Sequence, residues 1–240
     1  MTDKNTGNGG KSSAGYSAVY EKTPQRLVLF LRWILYYFAG APVFAAVNFL
    51  VFNLKVEGRR NLKGLHGAIL ISSHVHYIDC GMVGGAAFPR KVRFVSHTGN
   101  FTLPHYGWFV RQLGCIPIGE SFHEKKIFLQ QCTSVLEKGR FAAIYPEGDV
   151  ELYSRTIHPF TSGAFLLAVN TDSPVVPFVF TQRPVRGIRK LWCRKPFFTL
   201  HIGEPMYPAR EGSDRERIDG LKERAYDYFR KILADTHPEG

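Results

Sequence analysis

Apolar and polar positions divide the chain into three stretches. Residues 1–20 carry no apolar period and are rich in Gly, Ser, Asn, Lys and Thr, the composition of a disordered tail. From Leu27 to Leu54 the run LVLFLRWILYYFAGAPVFAAVNFLVFNL holds one charge, Arg32, and one central amide, Asn48. At about 1.5 Å per residue, a continuous helix of this length would cross a bilayer. Gly40-Ala41-Pro42 interrupts the run, and proline disfavours helix at the residue before it. Three readings of 21–54 follow: a tilted single span, a helical hairpin embedded in one leaflet, or a soluble buried helix. Lys22 and Arg26 precede the run, and Lys55, Arg59, Arg60 and Lys63 follow it. That symmetry favours the hairpin, whose two ends share one side of the membrane.

Beyond Leu54 the pattern changes to short apolar runs alternating with longer amphipathic segments. Strands are expected at Ala68–Ser72, Val92–Ser96, Cys115–Ile118, Phe141–Tyr145, Val175–Phe180 and Phe198–Ile202. Helices are expected at Gly81–Ala87, Tyr106–Leu113, Glu124–Glu137, Ser162–Asn170 and Asp214–Leu233, with Gly139 ending the third. This alternation predicts an α/β fold: a mixed, largely parallel central sheet flanked by helices, preceded by the N-terminal apolar helical membrane motif. No repeat and no further boundary interrupts 55–240, so these residues are read as one domain.

Composition narrows the partners. Lys and Arg total 31 against 20 Asp and Glu, a net charge of +11, which favours anionic surfaces. The basic run Arg183, Arg186, Arg189, Lys190, Arg194 and Lys195 interleaves with apolar residues and Trp192. It reads either as a solvated face or as a contact with anionic lipid headgroups. No nucleic-acid module accompanies it. Cys80, Cys115, Cys132 and Cys193 show no CxxC spacing, and the histidines are dispersed, so neither a disulfide framework nor a metal site is expected. No G-x-S-x-G elbow is present, which argues against a serine hydrolase of that type.

Candidate chemistry gathers at strand ends. His74 follows the apolar strand, and Asp79 opens the next helix. A carboxylate five residues on can hold one ring nitrogen of the imidazole and leave the other free as a general base. The bland alternative is a buried histidine near an N-capping aspartate, and His76 competes for the same role. Tyr145-Pro146-Glu147-Gly148-Asp149 leaves a second buried strand as a tight loop that can present Glu147 at the same rim, or is simply an acidic turn. Pro104 to Ile118 mixes aromatic and apolar residues with Arg111, so it reads as the border of an acyl-chain groove or as ordinary core. Arg111 itself is an anion ligand or a solvated helix residue.

Together these segments resemble the glycerolipid acyltransferase family that includes bacterial 1-acylglycerol-3-phosphate acyltransferases. The HxxxxD motif matches His74 and Asp79, and the FPEG-type motif matches Tyr145 to Gly148. The Pro-x-x-Gly stretch matches Pro104 to Ile118, the late Val-x-Pro strand matches Val175 to Pro177, and Phe160 to Gly163 and Ile202 to Pro205 also fall in place. The resemblance implies direct acyl transfer from an acyl thioester, acyl-CoA or acyl-ACP, to the hydroxyl of a lysolipid, with no further cofactor. His74 would be the base, Asp79 its partner, and neither Ser73 nor Cys80 a nucleophile. Substrate contacts would come from Gly107, Pro146, Glu147 and Gly148. The resemblance further implies an enzyme of phospholipid biosynthesis on the cytoplasmic face of the inner or cell membrane, monotopic or single-span, with acyl carrier protein among its candidate partners.

Two departures matter. Gly119-Glu120 and Asp149-Val150 stand where the family carries arginines linked to the acceptor phosphate. Arg111 or Arg155 would then have to substitute, or the acceptor is a non-phosphate or amino-acid-containing lysolipid. A non-catalytic lipid-binding protein is the further alternative. Alanine at His74 or Asp79 is expected to abolish transfer and leave the fold largely intact.

Overall fold

The computed structural model describes residues 41–236 except 105, 120 and 192. The tail 1–20, most of the apolar run, Glu120 and Trp192 therefore lie outside the described residues.

The strand Ala68–Ser72 (β2) has all five residues buried and pairs in parallel on both sides, with Phe141–Ile144 (β5) and Val175–Arg183 (β6). A strand covered on both faces has no solvent side to mark with polar residues, which is why Ala-Ile-Leu-Ile shows no alternation. Outward from β5 lie Val92–His97 (β3) and Ile116–Ile118 (β4); outward from β6 lie Phe197–Ile202 (β7) and Lys55–Glu57 (β1). The order is β1-β7-β6-β2-β5-β3-β4, and every pair is parallel except β6 with β7. The expected mixed, largely parallel sheet is present. The strand Lys55–Glu57 was not expected, because three residues at a sheet edge are too few to show a period.

Among the described residues six α-helices surround the sheet: Ala41–Leu50 (α1), Asp79–Ala87 (α2), Tyr106–Leu113 (α3), Phe122–Glu137 (α4), Gly163–Thr171 (α5) and Asp214–Thr236 (α6). Ser121 and Glu124 form a capping box that starts α4 two residues earlier than its apolar period indicates. Side chains alternate between two cores, as the pleat requires. Ala68 and Leu70 join Met82, Val83 and Ala86 of α2 on one face. Ile69 and Ile71 join Phe128 of α4, Phe165 of α5 and Phe229 of α6 on the other. Among the described residues no helix is long and apolar enough to cross a membrane. α1, the described part of the apolar run, reaches α2 through Asn48, whose amide nitrogen lies 3.4 Å from the Gly81 carbonyl.

Register decides where the chemistry falls. Ile71 stands opposite Ile144, and Ala143 opposite Phe94, so β2, β5 and β3 end at one rim. The residues that follow β2 and β5 therefore meet there although about seventy positions separate them in the chain, as the carboxyl ends of neighbouring parallel strands dictate.

Candidate active site

Two anchors hold the loop after β2. The buried Ser73 is tied to β6: its amide donates to the Phe178 carbonyl at 3.3 Å and its hydroxyl accepts the Phe180 amide at 3.1 Å. Asp79 is the second anchor. It sits in the first turn of α2, where a carboxylate suits the positive end of the helix, yet its side chain reaches backward into the loop. Its Oδ2 accepts from the backbone amides of Val75 at 3.1 Å and His76 at 3.2 Å, and from His74 Nδ1 at 2.8 Å. Its Oδ1 accepts the Tyr145 hydroxyl at 2.8 Å. Four donors thus converge on a carboxylate with no solvent exposure, and this is how a buried charge is tolerated.

An ionised carboxylate can only accept, so Nδ1 of His74 must carry the proton, and Nε2 of the neutral ring holds the lone pair. The Tyr145 ring stacks on the imidazole with centroids 4.2 Å apart and planes 23° from parallel. Burial, reinforced by the Asp79 charge, pushes the Tyr145 hydroxyl well above the ordinary phenol range and keeps it a donor. His76, the competing histidine, goes elsewhere. Its ring packs edge-on against Phe52 and Tyr153, centroids 5.0 and 5.8 Å away, and burial lowers its proton affinity.

The loop after β5 closes over this pair. Gly148 turns it with φ +86°, a conformation that glycine adopts without strain, and lies exposed at the rim. The buried Pro146 gives its carbonyl to both the amide and the hydroxyl of Thr161, at 2.9 and 3.0 Å. Glu147 accepts the His158 amide through Oε2 at 3.0 Å, while its Oε1 is buried with no hydrogen-bond partner among the described residues. Burial raises the Glu147 carboxyl, opposed by the His158 amide, the His158 charge and the His74 charge. Further along, Glu151 pairs with His158 at 2.6 Å, which lowers the carboxyl and raises the imidazole. The amides of Glu151 and Tyr153 bond back to the carbonyls of His74 and Val75.

A cavity of about 370 Å³ opens at His74. His74, Asp79, Tyr145 and Gly148 line one part of it; Phe94, Val95, Val110, Leu113, Ile118 and Phe128 give it an apolar stretch, and Ser96, His97 and Asn100, from β3 and the turn after it, add polar groups. Thr161 and Gly163 reach it from the start of α5. Such a space suits a hydrocarbon chain whose reactive end lies at the imidazole. Cys80 and Cys115 also line it, with burial pushing their thiols up to about 11 and about 12.

Of the other expected ligands, Gly107 is buried where α3 crosses Phe101, and a β-carbon there would collide with the Phe101 carbonyl. Arg111 is exposed on α3 and does not line the cavity. Arg155 bonds Gln182 through Nε at 3.3 Å and lies outside the cavity lining as well, as do Gly107, Pro146 and Glu147; of the expected substrate ligands Gly148 is the one that lines it. From the basic run, Arg183 and Arg189 lie over the Phe197 ring and Lys195 over the Tyr153 ring, while Ile188 and Leu191 project into solvent. Among the described residues no three metal-ligating side chains converge. The contact that sequence reasoning missed is Tyr145 with Asp79. The aromatic residue opening the Pro-Glu-Gly loop was its one available signal, and a tyrosine there carries a donor that a phenylalanine lacks.

A histidine–aspartate pair thus stands at the rim of an open, mostly parallel α/β sheet, beside a partly apolar cavity. The chain belongs to the acyltransferase family, whose model, described as Acyltransferase, matches residues 53–181. It is 27% identical over 140 residues to a chloroplastic 1-acyl-sn-glycerol-3-phosphate acyltransferase of Brassica napus, a match covering 57% of this chain and 40% of that protein. The 1-acyl-sn-glycerol-3-phosphate acyltransferase of Bacillus subtilis is 24% identical over 158 residues, covering 65% of this chain and 75% of that one. The match thus spans less than half the length of the plant relative. The crystal structure of the 1-acyl-sn-glycerophosphate acyltransferase PlsC from Thermotoga maritima shares the fold, with a TM-score of 0.59 at 17% identity over 93% of this chain and 89% of that one.

Proposed function

We propose that this protein transfers a fatty acyl group from an acyl thioester, acyl-CoA or acyl-ACP, to the free hydroxyl of a 1-acylglycerol-3-phosphate-like lysolipid. The observation that carries the reading is His74 at the cavity, with Nδ1 held by Asp79. Nε2 takes the hydroxyl proton as the oxygen bonds to the thioester carbonyl carbon. The tetrahedral intermediate then collapses, the carbon–sulfur bond breaks, and the imidazolium returns the proton to the departing thiolate. Backbone amides at the cavity, including those of the first turn of α5 beside Gly163, are donors for the oxyanion. Glu147, next to Gly148 of the cavity lining, would position the acceptor through the Pro-Glu-Gly loop. Direct transfer is supported by Ser73, whose hydroxyl is buried on the Phe180 amide, and by Cys80, whose high proton affinity leaves almost no thiolate at neutral pH. The apolar run 27–54 holds the domain on the cytoplasmic face of the membrane, where lipid substrates reside.

A second reading, an acceptor with a non-phosphate or amino-acid-containing head, is favoured by Asp149, an exposed carboxylate next to Gly148 of the cavity lining. Thioester release by the purified full chain, screened across acyl-CoA and acyl-ACP donors and across phosphate, neutral and zwitterionic lysolipids, separates the possibilities. Turnover with 1-acylglycerol-3-phosphate that disappears in His74→Ala is expected. Preference for a zwitterionic acceptor selects the second reading. Full activity in H74A, or saturable lipid binding with no turnover, overturns the mechanism.

A further inference from the structure

We propose that Tyr145 is a positioning residue of the His74–Asp79 pair: its hydroxyl shares the carboxylate with the imidazole and so sets the base strength of His74, while its ring fixes the plane of the imidazole. The proposal rests on the acyl-transfer reading for its kinetic consequence alone.

The geometry supplies two independent handles. The hydroxyl lies 2.8 Å from Oδ1 of Asp79, and His74 Nδ1 lies 2.8 Å from Oδ2, so the two side chains load opposite oxygens of one buried carboxylate. The same tyrosine ring lies face to face with the imidazole. The imidazole is therefore held at its edge by Asp79 and on its face by Tyr145, and rotation about its Cβ–Cγ bond would break both contacts. The two backbone amides go to Oδ2, so Tyr145 is the one donor given for Oδ1 among the described residues.

Charge follows from this arrangement. A hydrogen bond to a carboxylate disperses its negative charge and weakens its pull on the neighbouring ring proton. Without the hydroxyl, Oδ1 would be buried and unsatisfied. The imidazolium form of the pair would then gain, and the ring would hold its second proton to higher pH. The other titratable groups nearby are Cys80 on α2, Cys115 before β4, His76 and Tyr77 in the same loop, His97 at the end of β3, and Glu147 after β5. Tyr145→Phe alters none of them and keeps the ring that stacks, so it isolates the hydroxyl.

The test is a nitrogen-15 titration of the histidine rings in the full chain, with the His74 signal identified by its loss in His74→Gln. In Tyr145→Phe the midpoint should rise by about 0.5 pH unit or more. The acid limb of kcat/KM should move with it, at unchanged acceptor KM. Replacing Tyr145 by 3,5-difluorotyrosine keeps the shape and strengthens the donor, so the midpoint should fall; this second variant decides the matter if Y145F does not fold. Tyr145→Leu, which also removes the stack, should lose roughly tenfold more kcat than Y145F. Equal midpoints in wild type, Y145F and the fluorinated protein overturn the proposal. Absence of turnover in wild type with every donor and acceptor would sink acyl transfer and leave the titration free to decide the role of Tyr145.

Discussion

Asp79→Ala should unfold the protein more readily than His74→Ala, because the two residues differ in how many partners each satisfies. Asp79 takes donors from His74, Val75, His76 and Tyr145 at 2.8 to 3.2 Å in a position closed to solvent. Removing it orphans all four. At about 1–1.5 kcal/mol per lost bond, the gross cost is roughly 4–6 kcal/mol. Deleting a buried charge also relieves its desolvation, so the net loss is about 3 kcal/mol. His74→Ala removes one donor and a stacked ring and leaves three donors on the carboxylate, a loss of about 1–2 kcal/mol. Each kcal/mol moves Tm by about 2–4 °C in a domain of this size, which puts D79A roughly 6–12 °C below wild type and H74A a few degrees below it. Thermal melts of both variants, followed by far-ultraviolet circular dichroism in one detergent, measure the gap, and a thioester-release assay should find both inactive. By this reckoning alanine at Asp79 puts the fold at greater risk than alanine at His74. Equal melting temperatures for the two variants would refute the four-donor argument.

Two more predictions concern the cavity. With its thiol pushed up to about 11, Cys80 should alkylate about a hundredfold more slowly at pH 8 than a free cysteine, and unfolding should abolish the difference. Time-resolved iodoacetamide labelling with peptide mapping reads this, and rapid native labelling at Cys80 would contradict it. Val110 lines the apolar part of the cavity and is almost fully buried. Val110→Phe should therefore shorten the preferred acyl chain by roughly two methylenes at little cost to the best substrate. A competition assay with mixed acyl-CoA lengths checks it, and an unshifted preference would place the acyl chain elsewhere.

Much of the architecture was legible because it is written at short range. Short apolar runs marked β2 and β5, β-branched and aromatic residues marked β3 and β7, and longer amphipathic segments marked α4 and α6. His74, Asp79, Pro146, Glu147 and Gly148 stood out because strand ends and tight turns impose local residue choices. Boundaries were less legible. Asp79 opens α2 as its place before the Gly-rich segment indicates, but β6 runs on to Arg183, beyond its apolar run, because Thr181 and Gln182 are buried against β7 rather than exposed.

Pairing and approach belonged to the tertiary structure. Nothing in a local pattern states that β7 runs antiparallel to β6, that Arg155 bonds Gln182, or that His76 packs between Phe52 and Tyr153 while His74 faces the cavity. The Tyr145–Asp79 bond joins residues 66 positions apart, and only the register of β2 against β5 brings them together. The reason is physical: hydrophobic period and backbone propensity act within a few residues. The partner of a buried carboxylate is chosen instead by which strands lie side by side, and chain segments far apart in sequence settle that jointly.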